Sequence, residues 1–413
     1  MAARALCHAP AVSPDPEAFA LLCRMARAAL ESEEGGPRRS VPLAGVAATD
    51  LLDAVRRHRL ADLLRTHAEA LGLPADVRAA LDDQHDRMRL PLMMQALETA
   101  RSATLLAGHG IEVLGFKGLP LAVLTTGRLD GRGAGDVDLL VAPGDVAEAH
   151  RLLVDAGWAL SEAARVEPGT WAWRHVHRWG NALTYRGQVA DTDLHWRLEA
   201  IPGAHPDFPT LWSRRVDVTV GTTTLPTLSP YDALRHSGSH REGWAWLRTL
   251  VDLRRLARDP EVLDGPLSTA ATVSLALARE TVGLPDSVPG RVHDRLDRAP
   301  AAMLERARHQ HLLEIPTSFA GGHGTAASLR YRLSASRSAE DVVHTVVALV
   351  LPAHAAMPVR ARTAWTGVPL ALALRVTLLW RSLRSRSVAR SADQATGRVR
   401  RDAPCAGPPG PGA

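Results

Sequence analysis

The run Gly135-Asp136-Val137-Asp138-Leu139-Leu140-Val141 restricts the chain to folds that can hold two carboxylates on one strand. Polar and apolar residues alternate from Asp136 to Leu139, as they do from Asp193 to Trp196 in Asp191-Thr192-Asp193-Leu194-His195-Trp196, so both runs read as strands. Residues two apart on a strand share a face, and Asp136 and Asp138 therefore point the same way. Side by side on a strand of buried type, they repel each other and are costly to desolvate unless a cation occupies the space between them. A hard divalent ion is the economical explanation, and Asp193 is the natural third carboxylate.

Upstream of the pair lies Val113-Leu114-Gly115-Phe116-Lys117-Gly118, a strand that runs into glycine and then a helix. Such a turn lets backbone amides approach a phosphate closely, and the helix dipole favours the negative charge. Lys117 is the only lysine among 49 basic residues, the other 48 being arginine. Its position beside the turn implies that a compact ammonium is needed where a broad guanidinium would not fit.

In this order, the strand, glycine turn, helix, Asp-x-Asp strand and later third aspartate resemble the nucleotidyltransferase superfamily with the polymerase-β-like fold. More narrowly, Leu114 to Val141 and Asp193 to Leu198 are similar to the bacterial uncharacterised nucleotidyltransferase family. The family's Lys-Gly turn is Lys117-Gly118 here, the arginine four positions before the pair is Arg132, and Asp-Leu-His-Trp-Arg-Leu is residues 193–198. The likeness continues through Leu228-Ser229-Pro230-Tyr231-Asp232 to His236 and His240. The chain departs from the wider superfamily in having no serine after Gly118 and 17 residues between Gly118 and Asp136.

The resemblance implies an α+β fold, with a mixed-sheet nucleotidyltransferase core flanked by helical regions. It also implies two Mg²⁺ or Mn²⁺ ions about 4 Å apart, one held by Asp136 and Asp138 and the other also touching Asp193. On that reading all three aspartates are catalytic. Lys117, Gly118 and Arg132 neutralise a nucleoside triphosphate, and His236 and His240 contact the nucleotide. In-line attack on the α-phosphate moves a nucleoside monophosphate, expected to be AMP, onto an unidentified hydroxyl acceptor and releases pyrophosphate. A small-molecule, peptide or protein acceptor is expected over RNA. The rivals are a non-catalytic nucleotide-binding regulator and a tRNA- or RNA-directed transferase.

His236 and His240 are four apart on an expected helix, a spacing that can chelate a metal. The sequence places no third ligand or zinc-protease glutamate beside them, so zinc is not expected. His195 shares a face with Asp193 and either orients that carboxylate or simply packs. Asp191, two before Asp193, reads as a strand-end charge, with an extra metal ligand as the alternative. Trp171, Trp173, His175, His177 and Trp179 alternate as a strand with one decorated face would.

Helical patterns cover 17–30, 50–71, 75–88 and 92–106, giving a helical N-terminal region at 1–108. A nucleotidyltransferase α/β core is expected at 109–226 and a helical C-terminal domain at 227–386. A basic Pro/Gly tail at 387–413 is expected to be disordered. From Arg375 onward, eight arginines face Asp393 and Asp402, a net of +6 against +5 for the whole chain, so the preceding residues sum to −1. Basicity therefore belongs to the C-terminal stretch, which argues against a nucleic-acid-binding body.

Cys7, Cys23 and Cys405 are too scattered for a disulfide framework or zinc knuckle. His8, Pro10 and Pro14 interrupt any signal-peptide core, and a cytoplasmic location is expected. Val368–Trp380 falls well short of the roughly 20 residues that span a bilayer. It is expected to pack on its own domain, with weak contact to an anionic membrane surface as the alternative.

Overall fold

The computed structural model describes residues 15–132, 135–161, 166–313, 338–351 and 365–373, together with Leu333 and Ser336. The first fourteen residues, most of Val368–Trp380 and the arginine-rich tail lie outside the described residues. Among those described, no helix is long and apolar enough to cross a membrane.

Four helices come first: α1 (Pro16–Glu33), α2 (Ala48–His58), α3 (Ala61–Thr66) and α4 (Ala75–Gly108). Asp15 starts α1 by accepting hydrogen bonds from the Glu17 and Ala18 amides. The helix expected over 50–71 breaks in two at Arg59, which takes the left-handed conformation (φ 58°). Conversely, α4 runs unbroken through Pro91, where two separate helices were expected. Leu90 and Met93 on either side are exposed, so water can satisfy the carbonyl that the proline leaves without an amide partner.

A seven-stranded mixed sheet follows, built from β1 (Val113–Gly115), β2 (Val137–Val141), β3 (Ala159–Leu160), β4 (Ala182–Arg186), β5 (Asp191–His195), β6 (Val216–Val220) and β7 (Thr223–Thr227). Its order is β3-β4-β5-β2-β1-β7-β6, with β2/β5 and β1/β7 parallel and the remaining pairs antiparallel. The α+β expectation is met. β7 was not expected, because Pro226 reads as a strand exit. It fits because β7 meets β1 only through Thr227, so no β1 residue faces the position without an N–H.

Helices α5 (Gly118–Thr126), α6 (Val146–Asp155), α7 (Trp171–Trp179) and α8 (Phe208–Ser213) lie between strands. α7 corrects the strand expected for the tryptophan run. Trp171, His175 and Trp179 are spaced i, i+4, i+8 as well as evenly, so they line one helix face, with ring centroids 5.1 and 6.5 Å apart in turn. Thr170 caps that helix through the Trp173 amide.

The described residues after the sheet form α9 (Pro230–Ser239), α10 (Leu247–Leu256), α11 (Thr269–Thr281), α12 (Gly290–Asp297), α13 (Ala301–His311) and α14 (Ala339–Val350), with a further helical stretch at 365–373. Ser229 caps α9.

Two apolar cores divide the faces of the sheet. Leu114, Phe116 and Leu140 join one core with α1–α3 and α9–α13. Val113, Leu139, Val141, Leu194 and Trp171 and Trp173 of α7 join the other, together with Leu92, Ala103 and Leu106 of α4. Alternation along β2 places Asp138 on the same face as Leu140, toward the C-terminal helices.

Candidate active site

The turn after β1 is held open by its own backbone. The Phe116 amide donates to the Asp138 carbonyl at 3.1 Å, which carries the β1/β2 pairing past the end of the strand. Lys117 then adopts φ 57°, ψ −151° and Gly118 φ 33°, and α5 begins. A Cβ at Gly115 would lie 2.3 Å from Leu225 Cδ2 and 3.0 Å from Pro120 Cγ, so any side chain there would force Leu225 to shift.

β2 and β5 run parallel in a register that sets Asp138 opposite Asp193 and Leu140 opposite His195. Lys117 Nζ lies 3.1 Å and His195 Nε2 3.2 Å from the same Asp138 Oδ1. The Asn181 side-chain amide nitrogen is 3.4 Å from His195 Nδ1, which makes Nδ1 the acceptor and places the ring proton on Nε2, facing Asp138. His195 therefore orients Asp138, not Asp193. Burial alone would raise the Asp138 carboxyl, but Lys117 and His195 outweigh it and hold it well below the usual carboxylate range.

Asp136 sits one residue before β2, with its carbonyl fixed by Gln95 Nε2 at 2.7 Å. Its carboxyl is pushed up to about 6 by desolvation and then by the charges of Asp193, Asp138 and Asp191. Asp136, Asp138 and Asp193 carry three negative charges against one from Lys117, a surplus that suits a divalent cation. Asp138, Asp193 and His195 each offer a ligand atom within 4.8 Å of the others. The two carboxylates of this triplet supply oxygen donors, which fit a hard ion. Asp136 stands outside that triplet, although it shares the field.

Arg132 is engaged elsewhere. Its Nε donates to Asp252 Oδ2 of α10 at 2.6 Å, and both side chains are nearly buried. His236 is buried, its ring edge-on to Phe116 and beside His205 and His240. His240 Nδ1 is 2.8 Å from Glu199 Oε1, a residue the sequence did not single out. Gln95 and Asn181 were also missed. Gln95 did leave a signal, as it lies with Thr99 and Ser102 among Leu92, Ala103 and Leu106 on the buried stripe of α4.

The profile of a family described as uncharacterised nucleotidyltransferase matches residues 45–281, more than half of the chain. The chain belongs to this family. It is a nucleotidyltransferase, and the matched span of the family runs from just before α2 through the sheet to the end of α11. No curated protein matches. Among solved structures, an antigenic nucleotidyltransferase-like protein from Paracoccidioides brasiliensis is similar at 13% identity and a TM-score of 0.31, over 49% of this chain and 92% of that one.

Proposed function

We propose that this nucleotidyltransferase moves a nucleoside monophosphate, AMP by preference, from a triphosphate onto a hydroxyl-bearing acceptor, with release of pyrophosphate. The observation that carries the reading is the register that sets Asp138 opposite Asp193, with the chain's single lysine 3.1 Å from Asp138. Asp136, Asp138 and Asp193 are the residues that hold divalent metal. When bound, Mg²⁺ or Mn²⁺ would neutralise the triphosphate and lower the pKa of the acceptor hydroxyl.

The protein's own groups prepare the rest. Lys117 brings positive charge to the mouth of the glycine turn, and the first amides of α5 offer donors to phosphate oxygens. The missing serine after Gly118 is replaced by that ammonium and those amides. His195, held by Asn181, keeps the Asp138 carboxylate ionised and aimed. Arg132, tied to Asp252, acts by fixing the 127–132 segment on α10 before the carboxylate strand begins. A small molecule, peptide or protein fits the acceptor better than RNA, because the net charge before Arg375 is −1.

The test is incubation with each labelled triphosphate and Mg²⁺ or Mn²⁺, followed by separation of RNA, protein and small-molecule fractions. Label in protein or small molecules supports the reading, and label in RNA overturns the acceptor class. Bound triphosphate with no label in any fraction would make the protein a regulator. Asp193→Ala is expected to keep nucleotide binding and lose transfer.

A further inference from the structure

The segment leaving β5 and the end of α9 bring together Glu199, His236 and His240. Each offers a ligand atom within 4.8 Å of the others. Glu199 Oε1 already lies 2.8 Å from His240 Nδ1. His236 is 2% exposed, and its Nε2 is buried with no hydrogen-bond partner. A buried ring nitrogen without a partner calls for a specific explanation, since such atoms are nearly always satisfied.

We propose that Glu199, His236 and His240 form a second metal site, distinct from the carboxylates, that takes a Zn²⁺-class ion. Two imidazoles and one carboxylate are a zinc donor set, whereas Mg²⁺ prefers all-oxygen surroundings. The i, i+4 spacing of the histidines supplies two ligands from one helix end, and Glu199 supplies the third that the sequence does not place beside them. Zinc bonds of about 2.0–2.2 Å require ligand atoms about 3.3 Å apart, a spacing that lies between the 2.8 Å of the Glu199–His240 pair and the 4.8 Å that bounds the group. His205 stands nearby, its ring centroid 5.6 Å from that of His236, but its Nε2 is 3.4 Å from Ser239 Oγ and it is not counted as a ligand.

The site is structural in consequence. Glu199 follows Asp193 by six residues, so an ion here pins the exit of the carboxylate strand to α9. Phe116 links the two centres, with its ring centroid 4.9 Å from that of His195 and 5.3 Å from that of His236.

Untagged full-length protein, stripped with a chelator and dialysed, is titrated with Zn²⁺ alone, and with Co²⁺ as a spectroscopic probe, in the absence of nucleotide. One equivalent of Zn²⁺ is expected, with the intense visible bands of low-coordinate Co²⁺ and a rise in the unfolding temperature. His240→Gln and Glu199→Gln, both at partly accessible positions and checked for native circular dichroism, are expected to weaken Zn²⁺ by about a hundredfold or more, beyond the 10–100-fold of losing an outer-shell partner. Asp138→Asn and Asp193→Asn should retain the equivalent. Wild-type protein that binds no Zn²⁺, or unchanged affinity in His240→Gln and Glu199→Gln, overturns the site. Loss of the ion in the Asp138 and Asp193 variants also overturns it, by assigning the ion to the carboxylates. Because no nucleotide is present, failure here leaves the transfer reading untouched.

Discussion

Lys117 Nζ stands 3.1 Å from Asp138 Oδ1, and the backbone that brings it there adopts φ 57°, ψ −151°, a region almost reserved for glycine. The ammonium therefore reaches the carboxylate from a strained turn, at a cost on the order of 1–3 kcal/mol. Natural sequences hold such strain where the side chain has work that a relaxed residue could not do.

Replacing the ammonium isolates its chemical share. Lys117→Met should lower the transfer rate by about 10²–10³, the usual loss on removing one preorganised charge-stabilising donor. Steady-state kinetics with Mg²⁺ check this, and a variant within threefold of wild type would rule Lys117 out of the phosphate turn.

The strain itself can be measured apart from activity. Lys117→Gly and Lys117→Ala both remove the ammonium, but only glycine occupies that backbone region freely. Urea unfolding should find the glycine variant more stable than the alanine variant by about 1 kcal/mol. Equal stabilities would mean that the turn is not strained.

Much of this site was readable from local pattern. Alternation over Asp136–Leu139 and over Asp193–Trp196 exposed β2 and β5, and a glycine turn before an apolar helix exposed the β1–α5 junction. The failures have physical causes. Residues 171, 175 and 179 satisfy periods of both two and 3.6, so the helical reading of α7 needed the Thr170 cap and packing to decide it. Gln95 and Glu199 act across 41 residues each, on the Asp136 carbonyl and on His240, and no local spacing encodes such contacts. Nor does periodicity show that α1–α3 and α9–α13 share one core, because an amphipathic stripe does not name its partner.

Gln95 provides a test of that long-range support. It is buried, and its amide fixes the Asp136 carbonyl at 2.7 Å, so Gln95→Leu keeps the volume but frees the start of β2. Stability should fall by about 1 kcal/mol. Transfer should drop tenfold or more, because misplacement of about 1 Å can cost about 10² in rate. Kinetics and thermal unfolding of the same sample separate the two effects. A stability loss with unchanged rate would make Gln95 a packing residue only.

Glu33, at the end of α1, joins the N-terminal helices to α10. Its carboxylate accepts from Arg255 at 2.6 Å and Arg258 at 2.6 Å, and lies 3.3 Å from His67 Nε2. Burial alone would raise its carboxyl, but these partners outweigh burial and hold it far below the ordinary value of 4.5. A carboxyl depressed in the folded state adds stability that is fully present above 4.5 and is lost as pH falls toward the folded value. Glu33→Gln should therefore cost about 2 kcal/mol at pH 7, the scale of hydrogen bonds to a charged group. The gap to wild type should narrow steadily as pH drops below 4.5. Urea unfolding across that range checks both, and a gap of constant size at every pH would show that Glu33 stabilises through shape and not through charge.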